Sequence, residues 1–498
     1  MDESSYGQES SANKSISTSP EIDGLLAGVG YAIRPSDLPH VAERLEKLDS
    51  AIIAAAAAGL PPEFLCSDAV HYNPSDLAAW VDSMSMLTSL SSPPTHPATA
   101  PWPVQIYAPA PLSTPTVDLL APEDAGINLV HLLMSCADSI HRDDHPSASN
   151  LIHEMQILLP RVGTAFGIGK VAAYFIDALD RRLRSRPSPP AEDEILYHYF
   201  YESSPYLRFA HLTANQAILE SFNGFDRVHV IDLNLKHGLQ WPALIQALAL
   251  RPGGPPFIRL TGFGPPAICE VGRRLADFAR SVNVPFSFTL LDEIQPNLLR
   301  VEPGETVAVN SVLQLHQFLS DPGSPGPIDS VLSWVKALRP RIVTVVEQEA
   351  DHNRPGFLDR FTEALFYYST VFDSLESAAA GAGPEVYLQK EICNIVCCDG
   401  EERVERHEPL ASWRARFGRA GLWPVPHGSS AFRQASMLLT LFPGEGYSIE
   451  EVEGCLTLSW HGRAVISASA WHCGDGVDAP PLAGNIFFNG YSGSDRRE

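Results

Sequence analysis

One stretch constrains the fold more than any other: Arg227 to Gly264, RVHVIDLNLKHGLQWPALIQALALRPGGPPFIRLTGFG. Val228, His229, Val230 and Ile231 form a short, largely β-branched run that ends in Asp232. Bounded by turn residues, such a run suits a strand buried on both faces. Gly238 and Pro242 punctuate the turn that follows, and proline is tolerated in a first helical turn. Leu244, Ile245, Leu248 and Ala249 then fall at helical spacing until Arg251-Pro252-Gly253-Gly254 stops the helix. A second strand begins at Phe257–Leu260. Strand, crossover helix and parallel strand make a right-handed βαβ unit, the seed of a doubly wound α/β sheet.

A nucleotide-type cofactor would declare itself here. Asp232 stands at the carboxyl end of the first strand, where such sheets place ligands. Yet the turn Leu233–Gly238 carries a single glycine, and a loop that cradles a cofactor needs several for its backbone to approach. The expected task of Asp232 is to bond the next turn, and no cofactor is expected. The alternation continues downstream, with a helix predicted around Ile268–Val282 and another at Ile328–Leu338. Strands are predicted at Phe286–Leu290, Thr306–Val309 and Ile342–Val346, and further helices from Phe357 and from Glu385. The closing segment GCLTLSWHGRAVISASAW reads as two strands around His461-Gly462, a hairpin signal. The fold expected is therefore a Rossmann-like core of the methyltransferase type, a parallel sheet closed by an antiparallel pair. A helical cap would come from the helices before residue 226 and from an insertion near 355–420.

Charge bears on partners. A net charge of −24 argues against a surface that tracks nucleic-acid phosphates, and no basic stripe interleaves with aromatics. The opening MDESSYGQESS is acidic and polar, unlike a secretion signal. No apolar run approaches the ~18 residues of a membrane helix. Cys393, Cys397 and Cys398 cluster without a second pair at zinc spacing, so reduced thiols and no metal site are expected. Arg181, Arg182, Arg184 and Arg186 form either an import patch or, preferably, the basic end of a helix. Leu129–Leu133, LVHLL, fits a core helix better than a docking motif.

Other candidate groups are weighed the same way. Glu347, Glu349 and Asp351 follow a strand and could in principle converge, but a solvated loop is the expectation. Arg403, Glu405 and Arg406 are expected to form an internal salt-bridge network. No nucleophile elbow, zinc-protease helix or phosphate loop occurs.

Upstream, residues 1–18 are Ser-rich and expected to be disordered. Three amphipathic helices are then predicted, with stripes Ile22, Leu25, Leu26 and Val29; Val41, Leu45, Leu48 and Ile52; and Leu77, Trp80, Val81 and Met84. A segment this short buries little core, so it either docks on the rest of the chain or folds onto a partner. Residues 88–117 carry no charge and are rich in Pro, Ser and Thr, which makes a disordered linker with polyproline character.

These residues also carry a resemblance. VHVID at Val228–Asp232 resembles the VHIID block of the plant GRAS family. Phe357–Leu375 resembles its PFYRE region, and RVERHE stands at Arg403–Glu408. Ser469, Ala470 and Trp471 end a segment similar to its closing SAW block. Glu21–Tyr31, EIDGLLAGVGY, resembles the DELLA motif of one branch, Leu45–Asp49 its LExLE motif, and Val70–Pro74 matches VHYNP unchanged. Gly24 and Asp49 depart from the motifs, each standing where the pattern has Glu.

The resemblance implies a non-enzymatic nuclear repressor in gibberellin signalling, degraded by the ubiquitin–proteasome route. It implies receptor contacts at Asp23, Leu25, Leu26, Tyr31, Leu45, Leu48, Val70, His71, Tyr72, Asn73 and Pro74. Implied partners are the hormone-loaded gibberellin receptor, an F-box protein and transcription factors, with DNA reached only indirectly and no membrane. The boundaries expected are a short helical regulatory segment at 19–90, a linker at 91–117, a GRAS domain at 118–476 and a flexible tail at 477–498. Two alternatives stay open: a GRAS regulator insensitive to gibberellin, and an S-adenosylmethionine-type enzyme on the same fold.

Overall fold

The computed structural model describes residues 122–186, 194–294, 299–378 and 383–473. The readings for residues 1–117 and 477–498 lie outside the described residues. Five helices come first: α1 (Pro122–His141), α2 (His145–Val162), α3 (Gly167–Leu183), α4 (Glu194–Ser203) and α5 (Tyr206–Ser221). Local chemistry sets their ends. Asp144 accepts the Ser147 N–H at 3.1 Å and so satisfies one of the donors left open at the start of α2.

The alternating part follows as β1 (Arg227–Asp232), α6 (Trp241–Ala249), β2 (Phe257–Phe263), α7 (Cys269–Ser281), β3 (Phe286–Leu291) and β4 (Thr306–Val312). Next come α8 (Pro327–Ala337), β5 (Ile342–Gln348), α9 (Phe357–Ala378) and α10 (Gln389–Cys397). The chain closes with α11 (Leu410–Ala420), β6 (Leu422–Val425), α12 (Ser429–Leu439), β7 (Tyr447–Val452), β8 (Cys455–Trp460) and β9 (Arg463–Cys473).

The strands build one sheet in the order β3-β2-β1-β4-β5-β9-β8-β7, with β6 pairing β9 off this path. The first five strands are parallel; Val230 of β1 stands opposite Leu260 of β2 and Ala308 of β4. Strand β9 runs antiparallel to β5 and to β8. Five parallel strands are closed by the antiparallel run β9-β8-β7, with β6 added on β9, so the methyltransferase-type core expected above carries two more strands than the predicted pair.

The parallel strands read as continuous apolar runs because both sheet faces are covered. Val228 and Val230 pack with Leu244, Leu248 and Leu275 of α6 and α7. Ile231, Val309 and Val343 pack on the other face with Val331 and Val335 of α8 and Phe417 of α11. A third apolar cluster holds the cap together, joining α1, α2, α3, α9 and α10 to the ends of β8 and β9. Leu129, Val130 and Leu133 are fully buried in α1, so LVHLL is core. No helix among the described residues is long and apolar enough to cross a membrane.

Two sequence readings change. The strand predicted to end at Val346 continues to Gln348 because it pairs with Ile466 of β9. Glu347 and Glu349 are therefore not in a solvated loop. Glu347 is buried and accepts the N–H groups of Gln314 (3.2 Å) and Leu315 (2.7 Å). Glu349 accepts the Leu410 N–H at 3.0 Å, capping α11, and the Ser467 hydroxyl at 2.9 Å. Asp351 pairs with Arg354 at 3.0 Å, so the three carboxylates do not converge on one point. The arginines near 181–186 end α3, and each faces a carboxylate: Arg181 Asp177, Arg182 Asp399, and both Arg184 and Arg186 Asp180. The described cysteines are all free thiols.

Candidate functional site

The carboxyl edge of the sheet faces the helical cap, and a narrow cleft of about 80 Å³, partly open to solvent, lies between them. Its cap side is aromatic, with Tyr197, Phe200 and Tyr387 on one wall and Tyr367 and Tyr368 of α9 on another. Its sheet side holds Asp232 and His316, and Glu391, Glu405 and His407 face them from the cap.

Asp232 spends its carboxylate inside the protein. Oδ2 accepts the Trp241 indole N–H at 3.0 Å, and Oδ1 accepts Asn310 Nδ2 at 3.1 Å and the Asn234 N–H at 3.3 Å. Asn310 continues to Gln240 and Thr344, and Gln240 to Asn215, so a chain of amides is satisfied across the edge. Burial raises the Asp232 pKa to about 6 against these donors. Leu235, in the turn after β1, packs closely on β2. A Cβ at Gly262 would meet the Leu235 side chain at 2.8 Å, which shows how closely Leu235 seats on β2, and Trp241 is buried behind it. That close packing is the tertiary counterpart of a turn with one glycine.

The other residues singled out in the sequence take framework positions. His229 is fully buried and bonds the Thr261 hydroxyl at 2.9 Å; burial lowers its pKa to about 4. Arg403 and Arg406 converge on Asp321, at 2.5 Å and 2.6 Å. Arg403 also donates to the His352 carbonyl and Arg406 to the carbonyls of Arg403 and Gly400. Ser469 donates to the Val345 carbonyl and accepts the Trp471 indole N–H at 2.9 Å. Ala470 and Trp471 point to opposite faces of the sheet, Trp471 onto Phe417 at 4.7 Å between centroids. Asp23, Leu25, Leu26, Tyr31, Leu45, Leu48 and Val70–Pro74 lie outside the described residues.

Glu405 belongs to a cluster that no single stretch announces. His316 follows β4 on a short 3₁₀ turn and is gripped from both sides, Nδ1 by Glu347 at 2.7 Å and Nε2 by Glu405 at 2.8 Å. Burial opposes its charge, but the two carboxylates together outweigh that and raise its pKa to about 10. Glu391 of α10 is driven the other way. Burial, then the Glu405 charge, lifts it to about 7, with the Tyr368 hydroxyl donating to it at 2.6 Å. His407 and His352 touch through their Nδ1 atoms at 2.9 Å, and burial keeps both neutral. The sequence reading missed His316, His352, Glu391 and His407. The one signal available was polar residues just past the ends of β4 and β5, the usual ligand edge of such sheets.

The comparisons with known proteins decide the family. The GRAS domain family model matches residues 129–472, and the model described as "Transcriptional regulator DELLA protein N terminal" matches residues 23–95. The chain belongs to the GRAS family. Within it the chain stands in the DELLA branch. It is 44% identical to "DELLA protein 1" of Medicago truncatula, covering 90% of this chain and 89% of that one. It is 60% identical to "Protein SLENDER RICE1-LIKE 1" of Oryza sativa subsp. japonica over 71% of this chain and 76% of that protein. The crystal structure of SCL7 in Oryza sativa is similar with a TM-score of 0.61 at 34% identity, over 69% of this chain and 99% of that one. This DELLA-branch GRAS protein is thus a transcriptional regulator of the gibberellin-signalling class and not an enzyme.

Proposed function

We propose that this chain is a nuclear repressor in gibberellin signalling with two binding regions. Its N-terminal region, 19–90, binds the hormone-loaded gibberellin receptor through Asp23, Leu25, Leu26, Tyr31, Leu45, Leu48 and Val70–Pro74. Its GRAS domain, 118–476, binds transcription factors, so that DNA is reached only through them. Receptor capture presents the chain to an F-box protein of a ubiquitin ligase for degradation. One observation carries the reading: the DELLA N-terminal model matches at 23–95, with VHYNP intact at Val70–Pro74. The net charge of −24 supports indirect contact with DNA. In the GRAS domain, Val228–Asp232, Arg403, Glu405, Arg406 and Ser469–Trp471 act as framework that holds the sheet and cap in register.

A pull-down of the full-length chain by a gibberellin receptor, with and without hormone, tests this. Capture is expected only with hormone. Leu26→Ala and Tyr72→Ala should each weaken it about tenfold or more, the cost of losing one buried apolar side chain. Gly24→Glu restores the residue of the motif and, in the helix the sequence predicts there, replaces a glycine by a better helix former, so it should tighten binding. A second reading rests on Gly24 itself: no capture with hormone, and no gain from Gly24→Glu, would leave a GRAS regulator uncoupled from gibberellin.

A further inference from the structure

Three side chains from two segments, the turn after β4 and the RVERHE stretch, bring their ligand atoms together beneath the cap. The nitrogens of His316 and His407 and a Glu405 carboxylate oxygen all lie within 4.8 Å of one another. His407 Nε2 also stands 3.4 Å from Glu391 Oε1. We propose that His316, Glu405 and His407 form a binding site for a divalent transition-metal ion of the zinc class.

Four observations carry this. First, His407 Nε2 has no hydrogen-bond partner although the residue is 1% exposed, and it faces the two carboxylates at 3.4 and 3.5 Å. A buried polar atom left in that state calls for an unseen partner, and an ion between the three groups supplies one. Second, the spacing fits. Atoms bound tetrahedrally at about 2.0–2.1 Å from zinc lie about 3.3–3.4 Å apart. His407 Nε2 already stands 3.5 Å from Glu405, while the 2.8 Å contact of His316 Nε2 with Glu405 opens by about half an ångström and its proton is released to solvent as two metal bonds replace the hydrogen bond.

Third, the outer contacts are those that metal-binding groups use. His316 Nδ1 is held by Glu347, itself fixed by the backbone N–H groups of Gln314 and Leu315. His407 Nδ1 is held by His352, and the Glu391 carboxylate by Tyr368 and Gln348. Each imidazole thus has its far nitrogen fixed and its near nitrogen turned towards one point, the arrangement that orients metal ligands. Fourth, the cleft that all four residues line provides an entry path.

Imidazole and carboxylate donors without thiolate suit zinc, and accept manganese or cobalt more weakly. The three protein ligands leave the fourth position of a tetrahedral ion to water or to Glu391, whose carboxylate stands 3.4 Å from His407 Nε2. The ion would staple the RVERHE segment of the cap to the turn after β4.

The test uses full-length protein stripped with a chelator and titrated with Zn²⁺ or Co²⁺. One equivalent of Zn²⁺ should bind with a rise in thermal midpoint. Bound Co²⁺ should show ligand-field bands without the near-ultraviolet thiolate charge-transfer band that the cysteines would give. His407→Gln should lower the zinc affinity at least 100-fold and abolish the thermal shift. X-ray absorption on the unsubstituted protein reads the same question without any variant: the expected shell is nitrogen and oxygen at about 2.0–2.1 Å, against sulfur at about 2.3 Å. No tight equivalent, a sulfur shell, or a folded His407→Gln variant with full affinity would each overturn the proposal.

Discussion

Asp321→Ala separates a structural from a recognition role for the RVERHE segment. Two guanidiniums, each at most 3% exposed, converge on this one carboxylate. Removing one partner of a buried ion pair costs about 3–5 kcal/mol, because a charge is left desolvated and uncompensated. The Asp321 side chain is 48% exposed, so water enters the vacated place and offsets part of that cost. Each guanidinium also keeps backbone carbonyl partners. The net destabilisation expected is about 1.5–3 kcal/mol.

Adding Arg406→Met should recover part of it, since one of the two stranded charges is then gone. Acid adds a sign. The hydrogen bond from Arg406, and then Arg403, holds the Asp321 carboxyl below the usual range. Its stabilisation is therefore complete above the unfolded value near ~3.9 and lost as pH falls through the lower folded value. The difference between wild type and Asp321→Ala should close on that side only. Urea unfolding of the full chain followed by tryptophan fluorescence reads the midpoint shift. A shift worth under about 0.5 kcal/mol, or a double substitution as costly as two independent losses, would refute the shared-anion argument.

Other outcomes follow from the same geometry. Trp471→Ala removes a buried indole packed on Phe417 and should cost about 3–5 kcal/mol by urea midpoint, far more than a surface contact would. His427 is buried and burial lowers its pKa to about 4. The unfolded chain therefore takes up a proton below about 6.5 that the folded chain refuses until about 4, so this stabilisation, about 3 kcal/mol, is lost as pH falls through that window. His427→Gln should flatten that limb of the stability–pH curve. Calorimetry with S-adenosylmethionine or a dinucleotide should give no micromolar complex, because Asp232 is satisfied internally and the turn after β1 has a single glycine; a complex lost on Asp232→Asn would contradict that.

The sequence by itself determined the framework, because burial on two sheet faces writes continuous apolar runs and crossover helices write a 3.6 period. Val228–Asp232, the helix from Trp241 and the strand from Phe257 were legible from their own residues, as was the hairpin at His461-Gly462. So was the task of Asp232, which bonds the turn and the helix that follow β1. Strand ends were less legible. Glu347 and Glu349 look solvated in sequence, and only the pairing of β5 with β9 extends the strand and puts their carboxylates to work on the Leu315 and Leu410 backbone.

The cleft belonged to the tertiary structure alone. His316, Glu391, Glu405 and His407 come from the turn after β4, from α10 and from the segment before α11. No local period relates them. Their chemistry exists only once the cap closes on the carboxyl edge of the sheet and removes water from between them, because desolvation is what makes each of these charges choose a partner.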